Sequence, residues 1–195
     1  MVNLMNRECS TQRVAPLMVL DEPSPSGSSE MASTRQEVGE EDAIMLLAKM
    51  QESSKHFRDF DLKQLIELAH ELSIIHFAVG EKVLTRGEPA TFFGVLLEGS
   101  LKPEIGPHEF GPPRCTGELI GEMSLFYGGH RMNSMIGETQ GQIAVFSFSQ
   151  LEGLKKTNPG LGNRVNALLA HSALSKRLEQ SGQTIEQLRP LDVDE

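Results

Sequence analysis

The stretch of sequence that decides the fold runs from Gly117 to Ser134 and reads GELIGEMSLFYGGHRMNS. Gly121 stands at a point where the lack of a side chain would let the backbone approach a ligand closely. The residues 123–126 that follow have the composition of one helical turn. Because the first N–H groups of a helix have no partner within the helix, they can bind an anion. This part of the sequence therefore predicts an anion site.

Two charged residues in the same stretch extend that prediction. Arg131 follows Glu122 by nine residues, and the loop 128–130 would fold the arginine back toward the helical turn. An arginine carries a permanent charge and a fork of donors that matches a phosphate. A glutamate can accept hydrogen bonds from a sugar hydroxyl. One arginine, one turn with exposed amides and one carboxylate together predict a sugar–phosphate ligand.

Short apolar runs separated by glycine turns lie on both sides of this stretch. Such runs, at a spacing of about 8–12 residues, are typical of a β-sandwich or a small barrel. Pro103 weakens one of them, and the Gly- and Pro-rich segment 108–116 is predicted to be a loop. The predicted strands are 74–77, 82–84, 92–97, 101–105, 119–120, 132–136 and 142–148.

Helical patterns stand at both ends of the strand region. Apolar residues recur at the i, i+3, i+4 spacing of an amphipathic helix, and Asp61 has the position of an N-cap. An Asn-Pro pair at 158–159 is expected to end one helix. The predicted helices are 43–50, 62–72, 151–156 and 161–178.

The chain divides into three parts by composition. Residues 1–40 are poor in apolar material and include the Pro/Ser/Gly run DEPSPSGSS, so they are predicted to be a disordered or partner-docking tail. Within this tail, VAPLMVL at 14–20 is a candidate segment for docking on a partner protein. Residues 41–182 form the predicted domain, and 183–195 are a short C-terminal tail.

The decisive stretch resembles the phosphate-binding cassette of the cyclic nucleotide-binding domain family. In that family the cassette runs as Phe-Gly-Glu-x-Ala-Leu, several residues, and then Arg-Ala-Ala-Thr-Val or a near variant. Here residues 120–125 read IGEMSL and residues 131–135 read RMNSM, with the same spacing of glutamate and arginine. The resemblance extends over about residues 57–178, with glycines in register at 80, 87, 99, 117 and 121.

This resemblance implies a fold and a set of site residues. The fold is mainly β, a jelly-roll-like β-barrel (the β-roll of the family) with N-terminal and C-terminal helices, as in kinase regulatory subunits and cyclic nucleotide-gated proteins. Glu122 would bind the ribose 2′-hydroxyl and Arg131 the cyclic phosphate, helped by backbone amides of the cassette. The implied ligand-binding residues are Gly121, Glu122, Met123, Ser124, Arg131, Met132 and Asn133.

Three departures from the family pattern concern the ligand. Met132 and Asn133 replace two small residues after the arginine, and a long thioether can crowd a base or move aside. Members that prefer cGMP commonly have a threonine after the arginine, so Met132 favours cAMP as the ligand. Many members cover the base with an aromatic residue, but no aromatic follows Phe148. The candidate base cap is therefore aliphatic, Leu174 or Leu178.

Composition excludes several other classes of protein. The net charge of −9 argues against a nucleic-acid partner. The sequence contains no run of about 18 apolar residues, so membrane insertion is not expected. It also shows no secretory signal. We therefore expect a cytoplasmic protein. Two cysteines, Cys9 and Cys115, are too few for a disulfide framework and indicate a reducing compartment.

No motif of an enzyme or of a metal site is present in the sequence, so we expect neither catalysis nor a cofactor. Two functions of different class stay open. In the first, the chain is a sensor that binds a cyclic nucleotide and signals to a partner protein through the C-terminal helix or the N-terminal tail. In the second, it is a scaffold subunit of a larger assembly, for example a ciliary or flagellar one, with a degenerate pocket that binds no nucleotide.

Overall fold

The computed structural model describes residues 35–37, 46, 48–52, 54, 56–69 and 71–181. Residues 46 and 48–52 are helical. The helices that follow are α1 Leu62–Ala69, α2 Met123–Phe126, α3 Phe148–Thr157 and α4 Pro159–Ser181. The strands are β1 Arg35–Glu37, β2 Ser73–Phe77, β3 Lys82–Leu84, β4 Phe92–Glu98, β5 Leu101–Gly106, β6 Glu109–Phe110, β7 Leu119–Ile120, β8 Ser134–Gly137 and β9 Gly141–Ser147.

The strands form two antiparallel sheets. One has the order β1-β2-β9-β4-β7 and the other the order β3-β8-β5-β6. Strand β9 pairs with β2 on one side and with β4 on the other, so residues distant in the sequence close the roll. The prediction of a mainly β roll with flanking helices is confirmed.

Strand β4 reads as a continuous apolar run because both of its faces are buried. Phe93, Val95 and Leu97 pack in an outer cluster, together with apolar residues of α1, α3 and α4. Leu96, on the opposite face, packs in an inner cluster within the roll, with residues such as Ile143. Full burial of a side chain of this size contributes about 1.5–3 kcal/mol. The helices therefore cover one sheet, and the roll keeps a separate core of its own.

Local signals set the ends of the helices. The N-cap prediction for Asp61 is confirmed, since its carboxylate accepts a hydrogen bond from the backbone N–H of Gln64 at 2.9 Å. The side chain of Gln64 in turn accepts from the backbone N–H of Asp61, which completes a capping box. Helix α3 has the same device at Ser147 and Gln150. The side chain of Asn158 accepts from the backbone N–H of Leu161 and so caps α4.

Two strands lie where the sequence predicted none. Strand β1 lies within the segment expected to be a tail, and it pairs with β2 through Arg35 opposite Ile75. Strand β6 lies within the predicted loop 108–116 and pairs with β5. Pro103 is accommodated in β5, where its carbonyl accepts a hydrogen bond from the N–H of Gly111. The predicted segment VAPLMVL and the tail 183–195 lie outside the described residues.

Two further observations bear on the sequence-based expectations. Cys115 is disulfide-bonded, so the expectation of reduced cysteines is wrong at this residue. Across the described ranges, no helix combines the length and the apolar character needed to cross a membrane.

Candidate functional site

A cavity of about 580 Å³ lies between the roll and the last turns of α4. This volume is within the usual range for small-molecule sites, about 300–1,000 Å³. The cavity brings together all seven residues that the sequence analysis assigned to ligand binding. These are Gly121, Glu122, Met123, Ser124, Arg131, Met132 and Asn133.

The two leucines suggested as a base cap do not line this cavity. Leu178 is buried away from it, and Leu174 is exposed. The residues of α4 that face the cavity are Lys176, Arg177 and Gln180. The face of α4 toward the site is therefore polar and cationic.

Glycine is required at position 121 by the backbone conformation there and by the side chain of Arg131 beside it. Its φ of +79° lies in the left-handed region, which residues with a side chain adopt only at a cost. A Cβ atom at this position would lie 2.5 Å from Nη1 of Arg131. The glycine therefore makes room for the guanidinium of Arg131, whereas the sequence analysis predicted a close approach to a ligand.

Arg131 is fixed by the main chain of the roll. Its Nη1 donates to the carbonyl oxygen of Phe92 at 2.8 Å and to that of Gly121 at 3.2 Å. Its guanidinium carbon also lies 4.5 Å from the centre of the Phe92 ring, in a cation–π contact. Within the described part of the chain, these contacts engage Nη1 and one face of the guanidinium. Nε and Nη2 take part in neither of these two hydrogen bonds.

The backbone around Arg131 is held by the turn between β3 and β4. The N–H of Arg131 donates to the carbonyl of Glu88 at 2.9 Å, and its own carbonyl accepts from the N–H of Gly87. The N–H of Ala90 donates to the carbonyl of Gly129. Burial lowers the pKa of Arg131 to about 10, and the nearby carboxylate of Glu88 acts in the opposite direction. The guanidinium is therefore charged at neutral pH.

Glu122 is held by a different element, the helix α4. Its side chain is fully buried, and its Oε1 accepts a hydrogen bond from the hydroxyl of Ser172 at 2.8 Å. The ammonium of Lys176 lies 2.7 Å from the same Oε1 and also donates to the carbonyl of Leu119. The second oxygen, Oε2, is buried without a hydrogen-bond partner in the described ranges. Helix α4 thus uses one oxygen of the carboxylate and leaves the other.

The same contacts keep Glu122 ionised. Burial alone raises the pKa of its carboxyl, but the charge of Lys176 and the hydrogen bonds from Lys176 and Ser172 lower it further than burial raises it. The pKa of Glu122 is therefore below its ordinary value. At neutral pH the site therefore contains an ionised carboxylate, which can only accept hydrogen bonds, and its Oε2 has no donor among the described residues.

Basic side chains outnumber acidic ones in the cavity lining, and one of them, Arg114, is also paired with Glu118 and Glu179. The lining includes one acidic side chain, Glu122, and five basic ones. This excess of positive charge occurs in a protein whose net charge is −9, so it is a local property of the site. Clefts lined by one sign of charge attract ligands of the opposite sign. The basic lining residues are Arg86, Arg114, Arg131, Lys176 and Arg177.

The rest of the lining is mostly apolar. Leu84, Ile105, Ile120 and Met135 contribute side chains from the roll, and Pro103 and Pro112 contribute rings. Met132 and Asn133 are half-buried at the edge of this region. A lining that combines apolar and basic side chains suits a ligand with an apolar ring and an anionic group.

Four site residues on or near α4 were missed by the sequence analysis. Ser172 and Lys176 are four residues apart, so they lie on the same face of the helix. In the sequence, the available signal was a serine one turn before a lysine, and this spacing does not say what the pair contacts. Among the described residues, no group of three His, Cys, Asp or Glu side chains could hold a metal ion. The missed residues are Ser172, Lys176, Arg177 and Gln180.

Known proteins give a consistent fold assignment. No family model matches the chain. The chain is 25% identical over 116 residues to a protein of Rhodopseudomonas palustris whose name assigns it to potassium channels. That match covers 58% of this chain and 27% of the relative, so the chain spans about a quarter of the relative's length.

Three solved structures show the same architecture. A cyclic nucleotide-binding domain from Methylobacillus flagellatus superposes with a TM-score of 0.60 at 22% identity, over 80% of this chain and 88% of that one. A mutant regulatory subunit of a cAMP-independent protein kinase A from Trypanosoma brucei, bound to cAMP, gives 0.59 at 17% identity, over 77% and 52%. The catabolite activator protein of Thermus thermophilus gives 0.54 at 19%, over 66% and 62%.

At these identities the likeness establishes the fold and not the ligand. The described residues have the fold of cyclic nucleotide-binding domains, as the resemblance of the cassette implied.

Proposed function

We propose that the chain is a non-catalytic module that binds a cyclic nucleotide, cAMP rather than cGMP, and signals to a partner protein. The observation that carries the proposal is the cationic cavity lined by all seven cassette residues. An acidic protein that concentrates five basic side chains around one cavity is suited to an anionic ligand. Because the same cavity also has apolar lining residues, we infer that the anionic ligand is a nucleotide.

The two ends of such a ligand match the two charged residues of the site. The phosphate would lie against Arg131, which lines the cavity and whose Nη1 is held by main-chain carbonyls. The ribose hydroxyl would donate to Glu122, which has a buried oxygen without a partner in the described residues. Met132 has no hydroxyl group for a guanine, which supports cAMP over cGMP. The regulatory domain of protein kinase A from Toxoplasma gondii, which shares the fold, was solved with cAMP, and this supports the same ligand.

Signalling would pass through α4. This helix contributes Lys176, Arg177 and Gln180 to the cavity, so a bound ligand would contact it directly. A ligand shifts a conformational equilibrium only if it contacts the two states differently. Because α4 also packs in the outer cluster of the roll, a change at the site would alter the surface that α4 offers to a partner. The N-terminal tail is the second candidate for contact with that partner.

Calorimetric titration of the full chain with cAMP and cGMP tests the proposal. We expect cAMP to bind more tightly than cGMP, and Arg131→Ala to weaken cAMP binding by about a hundredfold, since a charge-assisted bond to a phosphate would be lost. Arg131→Lys keeps the charge without the fork and should give an intermediate loss. Arg58→Ala removes the same charge at an exposed position outside the cavity and should leave cAMP binding unchanged.

A negative result has a defined meaning. If folded wild-type protein binds neither nucleotide at millimolar concentration, the sensor function is wrong. The scaffold function, whether in a ciliary or flagellar assembly or elsewhere, would then explain why the roll is kept without a ligand. Circular dichroism of each variant separates loss of binding from loss of the fold.

A further inference from the structure

The two oxygens of the Glu122 carboxylate have different surroundings, because α4 contacts only one of them. Oε1 accepts from Ser172 and lies 2.7 Å from the ammonium of Lys176. Oε2 has no hydrogen-bond partner in the described ranges, although it is buried. An unsatisfied buried acceptor is costly, so a structure that keeps one needs an explanation.

We propose that Ser172 and Lys176 are positioning residues for ligand recognition. They orient the carboxylate of Glu122 so that Oε1 accepts hydrogen bonds from helix α4 and Oε2 accepts one from a hydroxyl group of the ligand. This inference rests on the proposed function and adds to it the residues that set its specificity.

The geometry around Lys176 supports this role. Its ammonium bridges Oε1 of Glu122 and the carbonyl of Leu119, so it joins α4 to both ends of the segment that precedes α2. Its side chain is only 12% exposed, which limits the other positions that the ammonium can take. Ser172, one helical turn earlier, fixes the same oxygen from a second direction. Two donors on Oε1 define the orientation of the carboxylate plane better than one donor does.

The arrangement has a thermodynamic consequence. If Oε2 accepts the ligand's hydroxyl only when α4 holds Oε1, then recognition of the hydroxyl and docking of the helix are coupled. Coupling of this kind is reciprocal, so the hydroxyl group also favours the docked helix. A ligand without the hydroxyl would leave Oε2 unsatisfied and would lose this coupling. Ser172 and Lys176 therefore influence selectivity for the hydroxyl more than binding of the phosphate.

A comparison of two ligands isolates this effect. Wild type, Lys176→Met and Ser172→Ala are each titrated with cAMP and with 2′-deoxy-cAMP, which differ by the single hydroxyl. We expect wild type to prefer cAMP by about tenfold, the cost of one unsatisfied buried acceptor. In Lys176→Met the preference should fall to about twofold or less, and Ser172→Ala should lie between the two. Lys176→Arg keeps the charge and should restore part of the preference.

Arg177→Met is the matched control on the same helix. Arg177 lines the cavity, but Glu122 does not accept a hydrogen bond from it in the described structure. Its loss should weaken both ligands by a similar factor and leave their ratio unchanged. A preference that survives unchanged in Lys176→Met would overturn the inference while leaving the proposed function intact. If wild type binds neither ligand, both the function and this inference are wrong.

Discussion

The two charged residues of the site are held by different parts of the molecule. Arg131 donates to two main-chain carbonyls of the roll, and its own backbone is bonded to the turn before β4. Glu122 is held by two side chains of α4, a helix that begins far later in the sequence. In the proposed function, the phosphate end of the site is therefore built into the roll, whereas the hydroxyl end is complete only when α4 is docked. Under this proposal, binding of the phosphate depends on the roll, and recognition of the hydroxyl also depends on the helix.

The largest expected effect comes from closing the space beside Arg131. Gly121→Ala would place a Cβ 2.5 Å from Nη1 of the arginine and would also strain a backbone at φ +79°. We expect a loss of about 4 kcal/mol in the free energy of unfolding, from the left-handed conformation and from weakened hydrogen bonds of a charged group. Binding of cAMP should be lost with it. Urea unfolding and calorimetry measure the two effects.

Gly80→Ala is the control for that variant. Gly80 has almost the same φ, +77°, but a Cβ there would meet no atom within 4 Å. Its substitution should cost only the conformational strain, about 1–2 kcal/mol, with no change in cAMP affinity. Equal effects of the two substitutions would mean that Gly121 serves the turn alone and not the arginine.

The sequence predicted the roll end of the site better than the helix end. Glu122 and Arg131 lie in one short stretch, so their spacing is visible before any fold is known. Ser172 and Lys176 act on Glu122 across a separation of about 50 residues, and nothing in their local pattern states which face of α4 docks on the cassette. The expectation of an aliphatic cap named Leu174 and Leu178, whereas Lys176, Arg177 and Gln180 line the cavity.

Separation in the sequence also affected how well the elements of the fold were predicted. The N-cap at Asp61 was predictable because its partner Gln64 is three residues away. Strand β1 was not predictable, since its sequence Arg-Gln-Glu has no apolar alternation. It is recognised as a strand only by its pairing with β2. Strand β6 is likewise two residues within a Gly- and Pro-rich segment, held by β5. Strands β2, β4 and β9 also pair with distant strands, but their apolar runs made them predictable, whereas β1 and β6 have no such local pattern.

The second largest effect concerns the helix end and depends on pH. In Lys176→Met, the buried carboxylate of Glu122 loses its cation, and we expect a loss of about 3 kcal/mol in the free energy of unfolding at pH 7. The basic side chains that line the cavity with this carboxylate are Arg86, Arg114, Arg131, Lys176 and Arg177. Among the described residues, only Lys176 forms an ion pair with it. Thermal or urea unfolding of both proteins from pH 7 to pH 4 measures the difference.

The sign of the pH effect follows from the direction of the pKa shift. In wild type the pKa of Glu122 is lowered in the folded state, so its contribution to stability is complete above the unfolded pKa and is lost as the pH falls through the folded pKa. In the variant, burial without the cation would raise the pKa, and protonation would relieve the unpaired charge. The difference between the two proteins should therefore shrink as the pH falls toward 4. A difference that stays constant would show that Lys176 stabilises α4 through packing and not through Glu122.

The smallest effect should separate the two halves of α4. Arg164, near the start of the helix, lies 4.4 Å from the centre of the Phe60 ring and donates to the side chain of Gln64 at 2.9 Å and to the carbonyl of Asp59. Arg164→Met would remove these contacts with the α1 region and should lower the free energy of unfolding by about 1.5 kcal/mol. Because Ser172 and Lys176 would still hold Glu122, the ratio of cAMP to 2′-deoxy-cAMP affinity should not change. A changed ratio would mean that the helix responds as one rigid piece and that its anchor, as well as the contact at Glu122, sets the selectivity of the site.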